Sequence, residues 1–379
     1  MKAMKDKRPI YIVLYNLSRI ILGITFVFSG FVKGQDPLGT AFKLEDYFIA
    51  FGWEWAMPFA LILSILLCTF EFGIGASLLF NLQIRLTSWL TLLTMLFFTG
   101  LTLNDAITNP VPDCGCFGDA IKLSNWQTFY KNVVLLAFVS LMFYSARNIK
   151  PANTHRTPAF VTVFIVFAAF SVWSYKHLPV IDFLPFKIGT DFNPQSDIPA
   201  QYFLTYKNKL TGEEKEMPAS EIPYTDSIWM EQWEYKSTRV YDPANAQRPD
   251  LQIIDTAGND VSDHYLLNPD FQFIITLYDV NSASDETLKT LANTLHQAEA
   301  KGHSVIILCP ATEEEIEKLR KNYNLDFEIF SADDIVLKMM VRANPGVILM
   351  KGGKILAKWN ARNLPDFETL AKKYLQESS

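Results

Sequence analysis

The chain has 379 residues, 49% of them hydrophobic and 20% charged, with a formal net charge of −6 and a mean hydropathy of +0.10. An acidic balance without basic clusters argues against a nucleic-acid ligand. The average conceals two halves. Residues up to about Leu178 contain long apolar runs, and the remainder reads as a soluble domain of mixed α/β pattern.

A helix needs roughly 20 mostly apolar residues to cross a ~30 Å hydrocarbon core. The segments Ile10–Val32, Trp55–Phe80, Thr87–Leu103, Thr128–Tyr144 and Ala159–His177 meet that expectation. The first is too long for a cleaved signal and lacks a small-residue cleavage site, so it reads as a permanent anchor. Lys2, Lys5, Lys7 and Arg8 precede the first span, Arg85 lies in the second-to-third turn, and Arg147, Lys150 and Arg156 follow the fourth. The positive-inside rule puts those regions in the cytoplasm; Lys33, Lys43 and Lys122 run against it. The cysteine-bearing loop between spans three and four, and everything after His177, then share the outer, oxidising side, where disulfides form.

After span one, Ala41, Leu44, Phe48 and Phe51 recur at helical spacing, followed by Trp53 and Trp55. They predict an amphipathic helix, either lying in the membrane interface or packed on its neighbours. Arg19 and Glu71 fall inside spans one and two, each about nine residues from the inner end and therefore roughly 13 Å deep at the helical rise. Opposite charges at matched depth predict a pair facing the bundle interior. Such a pair either holds the helices together or forms a polar site for a ligand such as a quinone.

The loop Pro112-Asp113-Cys114-Gly115-Cys116-Phe117-Gly118-Asp119 holds two of the four cysteines. Cysteines two apart reach disulfide distance only where the chain bends, and Gly115 permits the bend. A tight, exposed ring is of the labile, catalytic kind and would stabilise little. A redox pair and a static turn both remain open. A metal site is less well supported, since zinc takes four ligands and His264, His296 and His303 lack regular spacing. Cys68, inside span two, and Cys309, ending a predicted strand, read as small buried hydrophobes.

The soluble half begins with a Pro- and Gly-punctuated linker over Asp182–Asp191. Short strands are predicted at Gln201–Tyr206 and Leu251–Asp255. Strands at Phe271–Leu277, Ser304–Leu308 and Asp326–Phe330 then alternate with helices at Ser284–Ala300, Thr312–Asn322 and Asp333–Met340. A strand pair across Lys351–Lys354 and a helix over Pro365–Leu375 close the chain. Such alternation implies a largely parallel sheet covered on both faces.

This order resembles the thioredoxin fold, in a TlpA-like version, over roughly residues 250–376. Asn344-Pro345-Gly346 before Val347–Met350 matches the family's cis-proline turn, and the resemblance implies a partner-docking role for these three residues. Where the family carries Cys-x-x-Cys, this chain has Asp279-Val280-Asn281-Ser282-Ala283-Ser284, so dithiol exchange cannot occur there. In the membrane half, Arg19-x-x-x-Gly23, Ser29-Gly30-Phe31-Val32-Lys33, Asp36-Pro37-Leu38-Gly39-Thr40 and Glu45-Asp46-Tyr47 resemble the DoxX family. The Cys-Gly-Cys-Phe-Gly loop resembles the related methylamine-utilisation protein MauE.

Together these resemblances imply a membrane α-helical bundle of four spans plus a fifth linking span, followed by a soluble α/β thioredoxin-like domain. The expected divisions are 1–150 for the bundle, 151–190 for the fifth span and linker, and 191–379 for the outer domain with a β-rich N-terminal extension. They also imply a bacterial inner membrane, a cytoplasmic N-terminus and a periplasmic C-terminal domain. The expected function is thiol/disulfide or quinone-linked electron transfer through Cys114 and Cys116, alongside a periplasmic thiol/disulfide partner or a membrane redox subunit. A Cys116→Ser variant is expected to trap that partner. The alternative is a non-catalytic scaffold anchoring a periplasmic complex.

Overall fold

The computed structural model describes residues 8–146, 157–194, 200–241, 248–310 and 312–375. Of the charges used above for orientation, Lys2, Lys5, Lys7, Arg147, Lys150 and Arg156 lie outside the described residues, as does the side chain of Arg8. The chain forms two units. The first comprises residues up to Leu184 together with Val341–Gly346 and Trp359–Leu364, and the second comprises the rest.

The first unit is helical: α1 (Arg8–Gln35), α2 (Pro37–Ala50), a 3-10 segment (Glu54–Phe59), α3 (Ala60–Phe80), α4 (Ile84–Thr108), α5 (Asn125–Ala146) and α6 (Thr157–Lys176). Pro9–Gln35, Glu54–Phe80, Ile84–Thr108 and Thr157–Lys176 are long and apolar enough to cross a membrane. At 22 residues α5 has the length, but Gln127, Lys131 and Asn132 lower its apolarity. Its Asn132 amide donates to the Phe98 carbonyl (3.3 Å) and the Thr102 hydroxyl (3.1 Å) of α4, a polar seam between the two helices.

Tyr15, Leu22 and Phe26 of α1 pack with Ile74 and Leu78 of α3, Met95 of α4, and Leu135, Val139 and Met142 of α5. Apolar side chains also face outward, among them Ile24, Leu66, Phe97 and Ile165, as expected where lipid replaces water. The approach of α1 to α3 requires a glycine. A β-carbon on Gly30 would overlap the Phe72 backbone nitrogen and come within 2.7 Å of its Cα. Small residues let membrane helices close to this separation.

The amphipathic helix forms as α2, started by Asp36, whose carboxylate accepts from the Gly39 amide at 3.0 Å. Ala41 and Phe48 are buried against Ala56 and Ala60. Packing on neighbours therefore accounts for the apolar stripe, while Trp53 and Trp55 remain exposed.

The second unit holds two sheets. The smaller, in the order β2-β1-β3, is antiparallel and built from β1 (Gln201–Asn208), β2 (Glu214–Pro218) and β3 (Trp233–Tyr241), with α7 (Ser227–Gln232) before β3. The larger has the order β6-β5-β4-β7-β8, from β4 (Gln272–Thr276), β5 (Ser304–Leu308), β6 (Glu328–Phe330), β7 (Gly346–Lys351) and β8 (Lys354–Asn360). Strands β4, β5 and β6 are parallel, and all five residues of β4 are buried, the pattern of a strand covered on both faces. The helices α8 (Ser262–Leu266), α9 (Asp285–Glu299), α10 (Glu313–Tyr323), α11 (Asp334–Met340) and α12 (Phe367–Tyr374) complete the chain. The Thr312/Glu315 capping box begins α10.

This is the thioredoxin-like arrangement the sequence implied, and the Asn344–Pro345 peptide bond is cis. One predicted strand does not form. Over Leu251–Asp255, only Ile254 bridges, to Asp260 and Ser331, because the Asp255 carboxylate turns the chain by accepting from the Ala257 and Asn259 amides at 2.8 Å.

Candidate functional site

The cysteine loop is fixed at both ends. Asn125, at the start of α5, donates to the Asn109 side-chain oxygen (2.8 Å) and the Val111 carbonyl (3.0 Å). Asp113 accepts from the Gly115 amide (3.0 Å) and forms an ion pair with Lys43 of α2 at 3.2 Å. Gly115 sits at φ +61°, the left-handed region that glycine enters without steric cost. The Gly118 amide then closes the turn onto the Gly115 carbonyl at 2.9 Å. Phe117 packs edge-on to Phe28 with centroids 5.4 Å apart, and the Lys131 ammonium lies 4.3 Å from its ring centre.

The bend brings the Cys114 and Cys116 sulfurs to 2.9 Å, within reach of each other. One S–H can serve the other sulfur, which makes the two thiols unequal. The hydrogen bond from Cys114 is the largest influence lowering the Cys116 thiol below the ordinary thiol range; the charges of Lys131 and Lys33 lower it further, against burial and Glu71, which raise it. That same bond raises Cys114, and burial adds to the rise. A thiolate is the nucleophile in exchange chemistry, and the cations at Lys131 and Lys33 favour it on Cys116.

A buried polar group lies beneath the loop. Lys33 and Glu71 form an ion pair at 2.5 Å, their side chains 7% and 2% exposed. Ser29, one helical turn before Lys33 on the same face of α1, stands 2.8 Å from Glu71 Oε2 and 2.7 Å from the Cys116 carbonyl. On the far side of the loop, the Tyr47 hydroxyl donates to the buried Asp105 carboxylate at 2.6 Å. Burial, then that hydrogen bond, push the Tyr47 phenol up, so it remains a donor at any ordinary pH.

The expected Arg19–Glu71 pair does not form. Arg19 donates instead to the Leu78 and Leu79 carbonyls, at 2.6 and 3.1 Å, near the C-terminus of α3. Helix C-terminal carbonyls lack intrahelical donors, so they attract a cation. Glu71 is left to Lys33. One of the three side chains that ran against the charge-orientation rule, Lys33, neutralises the buried carboxylate.

Within the first unit, Arg342 binds Asp36 and Asp119 with both oxygen contacts at 2.8 Å. This ties the segment carrying the cis bond to the last residue of the cysteine loop. In the cis-proline turn itself, Pro345 and Gly346 are buried and Asn344 is half-buried. Cys68 is buried in α3, and Cys309 is buried after β5, its amide donating to the Phe330 carbonyl. At the position of the missing dithiol, Asp279 accepts from the Asn281 amide at 2.9 Å and Ser284 caps α9.

Sequence reasoning singled out Cys114, Cys116 and Glu71; it met Ser29, Lys33 and Tyr47 within the DoxX-like motifs, without a role at the loop, and missed Asp105 and Lys131. The spacing of Ser29 and Lys33, four apart on one span, is a signal for a shared polar face. For Asp105 and Lys131 no local pattern marks the site, since each comes from a different helix.

Residues 11–145 match the profile of the family described as methylamine utilisation protein MauE. No curated protein sequence matches the chain. Among solved structures, a thiol:disulfide interchange protein from Bacteroides sp. is similar at 19% identity, over 35% of this chain and 90% of its own, with a TM-score of 0.28. The thioredoxin domain of a thiol-disulfide oxidoreductase from Bacteroides vulgatus aligns at 18% identity, over 32% of this chain and 92% of its own, with a TM-score of 0.26. The chain is a multi-pass membrane protein that is MauE-like over residues 11–145.

Proposed function

We propose that the protein takes part in thiol–disulfide exchange at the periplasmic face of an inner membrane, with Cys114 and Cys116 as its redox pair. The observation that carries this reading is the contact of the two sulfurs at 2.9 Å, which with Lys131 of α5 and Lys33 of α1 lowers the Cys116 thiol. In exchange, the Cys116 thiolate attacks a disulfide sulfur of a partner protein. An S–S bond forms between them, and the partner's other sulfur leaves as a thiolate. Cys114 then loses its proton and attacks Cys116; the partner is released as a dithiol, and the loop becomes a disulfide. Two electrons pass to the partner, and the reverse sequence oxidises it.

In this reading the thioredoxin-like domain serves as a docking module, since the turn at 279–284 has no sulfur. Asn344, Pro345 and Gly346 keep in it the docking role that the family resemblance implies. The inequality of the thiols also changes which variant should trap the partner. Loss of the resolving sulfur stalls the mixed disulfide, so Cys114→Ser, rather than the Cys116→Ser expected from sequence, is the trapping variant. In membranes under mild oxidation, Cys114→Ser should accumulate a reducible adduct and Cys116→Ser should not. No adduct with either variant, together with full function of the double variant, would favour the scaffold reading.

A further inference from the structure

The ion pair under the cysteine loop is an expensive feature to bury. Removing two charges from water costs several kcal/mol per ion, and packed apolar residues often serve stability as well or better. The Lys33–Glu71 pair does more than join α1 to α3, because the loop is built on it. Ser29 links Glu71 to the Cys116 carbonyl. Gly118 lies against Val32 and Lys33 of α1, where a β-carbon would come 3.2 Å from Val32 Cγ1 and 3.8 Å from Lys33 Cγ. A serine hydroxyl has one hydrogen to donate. The ionised Glu71 carboxylate and the Cys116 carbonyl both accept, so they compete for it.

We propose that Lys33 is a positioning residue that supplies counter-charge to the Cys116 sulfur, and that Glu71 limits how much of that charge the sulfur receives. The inference rests on the exchange reading only in its choice of Cys116 as the sulfur that matters. Other charged and titratable groups face the loop from each packed element. They are Lys43, Asp46 and Tyr47 from α2, Cys68 from α3, Asp105 from α4 and Lys131 from α5; Asp113, Cys114 and Asp119 lie in the loop, and Arg342 binds Asp119. Among these, Lys43 is engaged by Asp113, Arg342 by Asp36 and Asp119, and Asp105 by Tyr47. Lys131 lies over Phe117 and is the larger of the two cationic influences on Cys116.

The assignment makes Lys33 and Glu71 act in opposite directions, which a purely structural pair would not do. The test is the alkylation rate of Cys116 as a function of pH in the full-length protein in detergent, with iodoacetamide as probe and peptide mass spectrometry as readout. Lys33→Gln should raise the pH of half-maximal rate by about one unit, a roughly tenfold slower reaction on the acid side, since one unit is tenfold in thiolate population. Lys33→Arg should restore the profile, and Glu71→Gln should move it toward lower pH. If Glu71→Gln does not fold, as judged by circular dichroism, Lys33→Gln/Glu71→Gln replaces it and should fall between wild type and Lys33→Gln. Shifts of the same sign in Lys33→Gln and Glu71→Gln, an unmoved profile in Lys33→Gln, or a double variant no closer to wild type would overturn the proposal. The assay needs no partner and no electron transfer. Opposite shifts in a protein that never exchanges disulfides would sink the exchange reading alone, and functioning exchange with unmoved profiles would sink this inference alone.

Discussion

Two turns of this molecule invite comparison, the loop at Cys114–Cys116 and the turn at Asp279–Ser284. The second follows the first strand of the parallel sheet and opens α9, where thioredoxin-like proteins place their dithiol. Here its side chains serve the backbone: Asp279 accepts from the Asn281 amide and Ser284 from the Thr287 amide. The first sits between membrane helices, and its surroundings serve the sulfurs. The pair is served by a hydrogen bond between thiols, a buried lysine below and another lysine at the adjacent ring. A fold keeps its strands and caps through packing and propensity alone. Reactivity follows the sulfur and its charges, wherever the chain carries them.

The comparison can be broken most sharply at the sulfurs. Replacing Cys116 with Ser should abolish disulfide exchange in membranes, measured by mixed-disulfide formation and partner redox state. If exchange persists, the chemistry lies elsewhere. Next in size is Glu71→Ala, which leaves Lys33 buried without its carboxylate. Breaking a buried pair in this way costs about 3–5 kcal/mol, to be read as lowered thermal unfolding in detergent. Gly30→Ala forces a methyl into the Phe72 backbone, and overpacking of that kind costs about 1–3 kcal/mol; disulfide formation at the loop would report whether α1 and α3 have separated.

A smaller effect tests the electrostatics. With its thiol lowered, Cys116 should be alkylated at a rate that rises with pH and levels off before the ordinary thiol value of about 8.5. Lys131→Gln should move that curve toward higher pH, because it removes a cation that favours the thiolate. The smallest effect sharpens the contrast from the other side. Ser284→Ala should cost about 1 kcal/mol, the usual loss of a helix N-cap, and leave exchange unchanged.

Much of the architecture was legible because periodicity carries it. The apolar runs of α1, α3, α4 and α6 announce themselves by length, and the alternating pattern from Phe271 onward places β4 to β8. What was not legible depended on side chains meeting across helices. Matched depth suggested Arg19 with Glu71, but the helix C-terminal carbonyls at Leu78 and Leu79 compete for the arginine, and depth alone cannot weigh them against a carboxylate. Lys33 looked like a stray charge at a span end until the close approach at Gly30 brought its face onto Glu71. In the extension, β2 and β3 carry mostly exposed residues, so no alternation betrayed them. The two cysteines were conspicuous in the sequence; the cations that act on Cys116 beside its contact with Cys114, Lys131 and Lys33, arrive from separate helices.

The most direct test of the central claim is the redox state of Cys114 and Cys116 in native membranes poised across a series of thiol buffers, read by alkylation mass shift. Buried Cys68 and Cys309 serve as internal controls. A single reversible two-electron transition confined to the loop pair is the expected result. A pair that stays oxidised under strong reduction, or stays reduced under oxidising poise, would contradict the account and leave the loop as a structural turn.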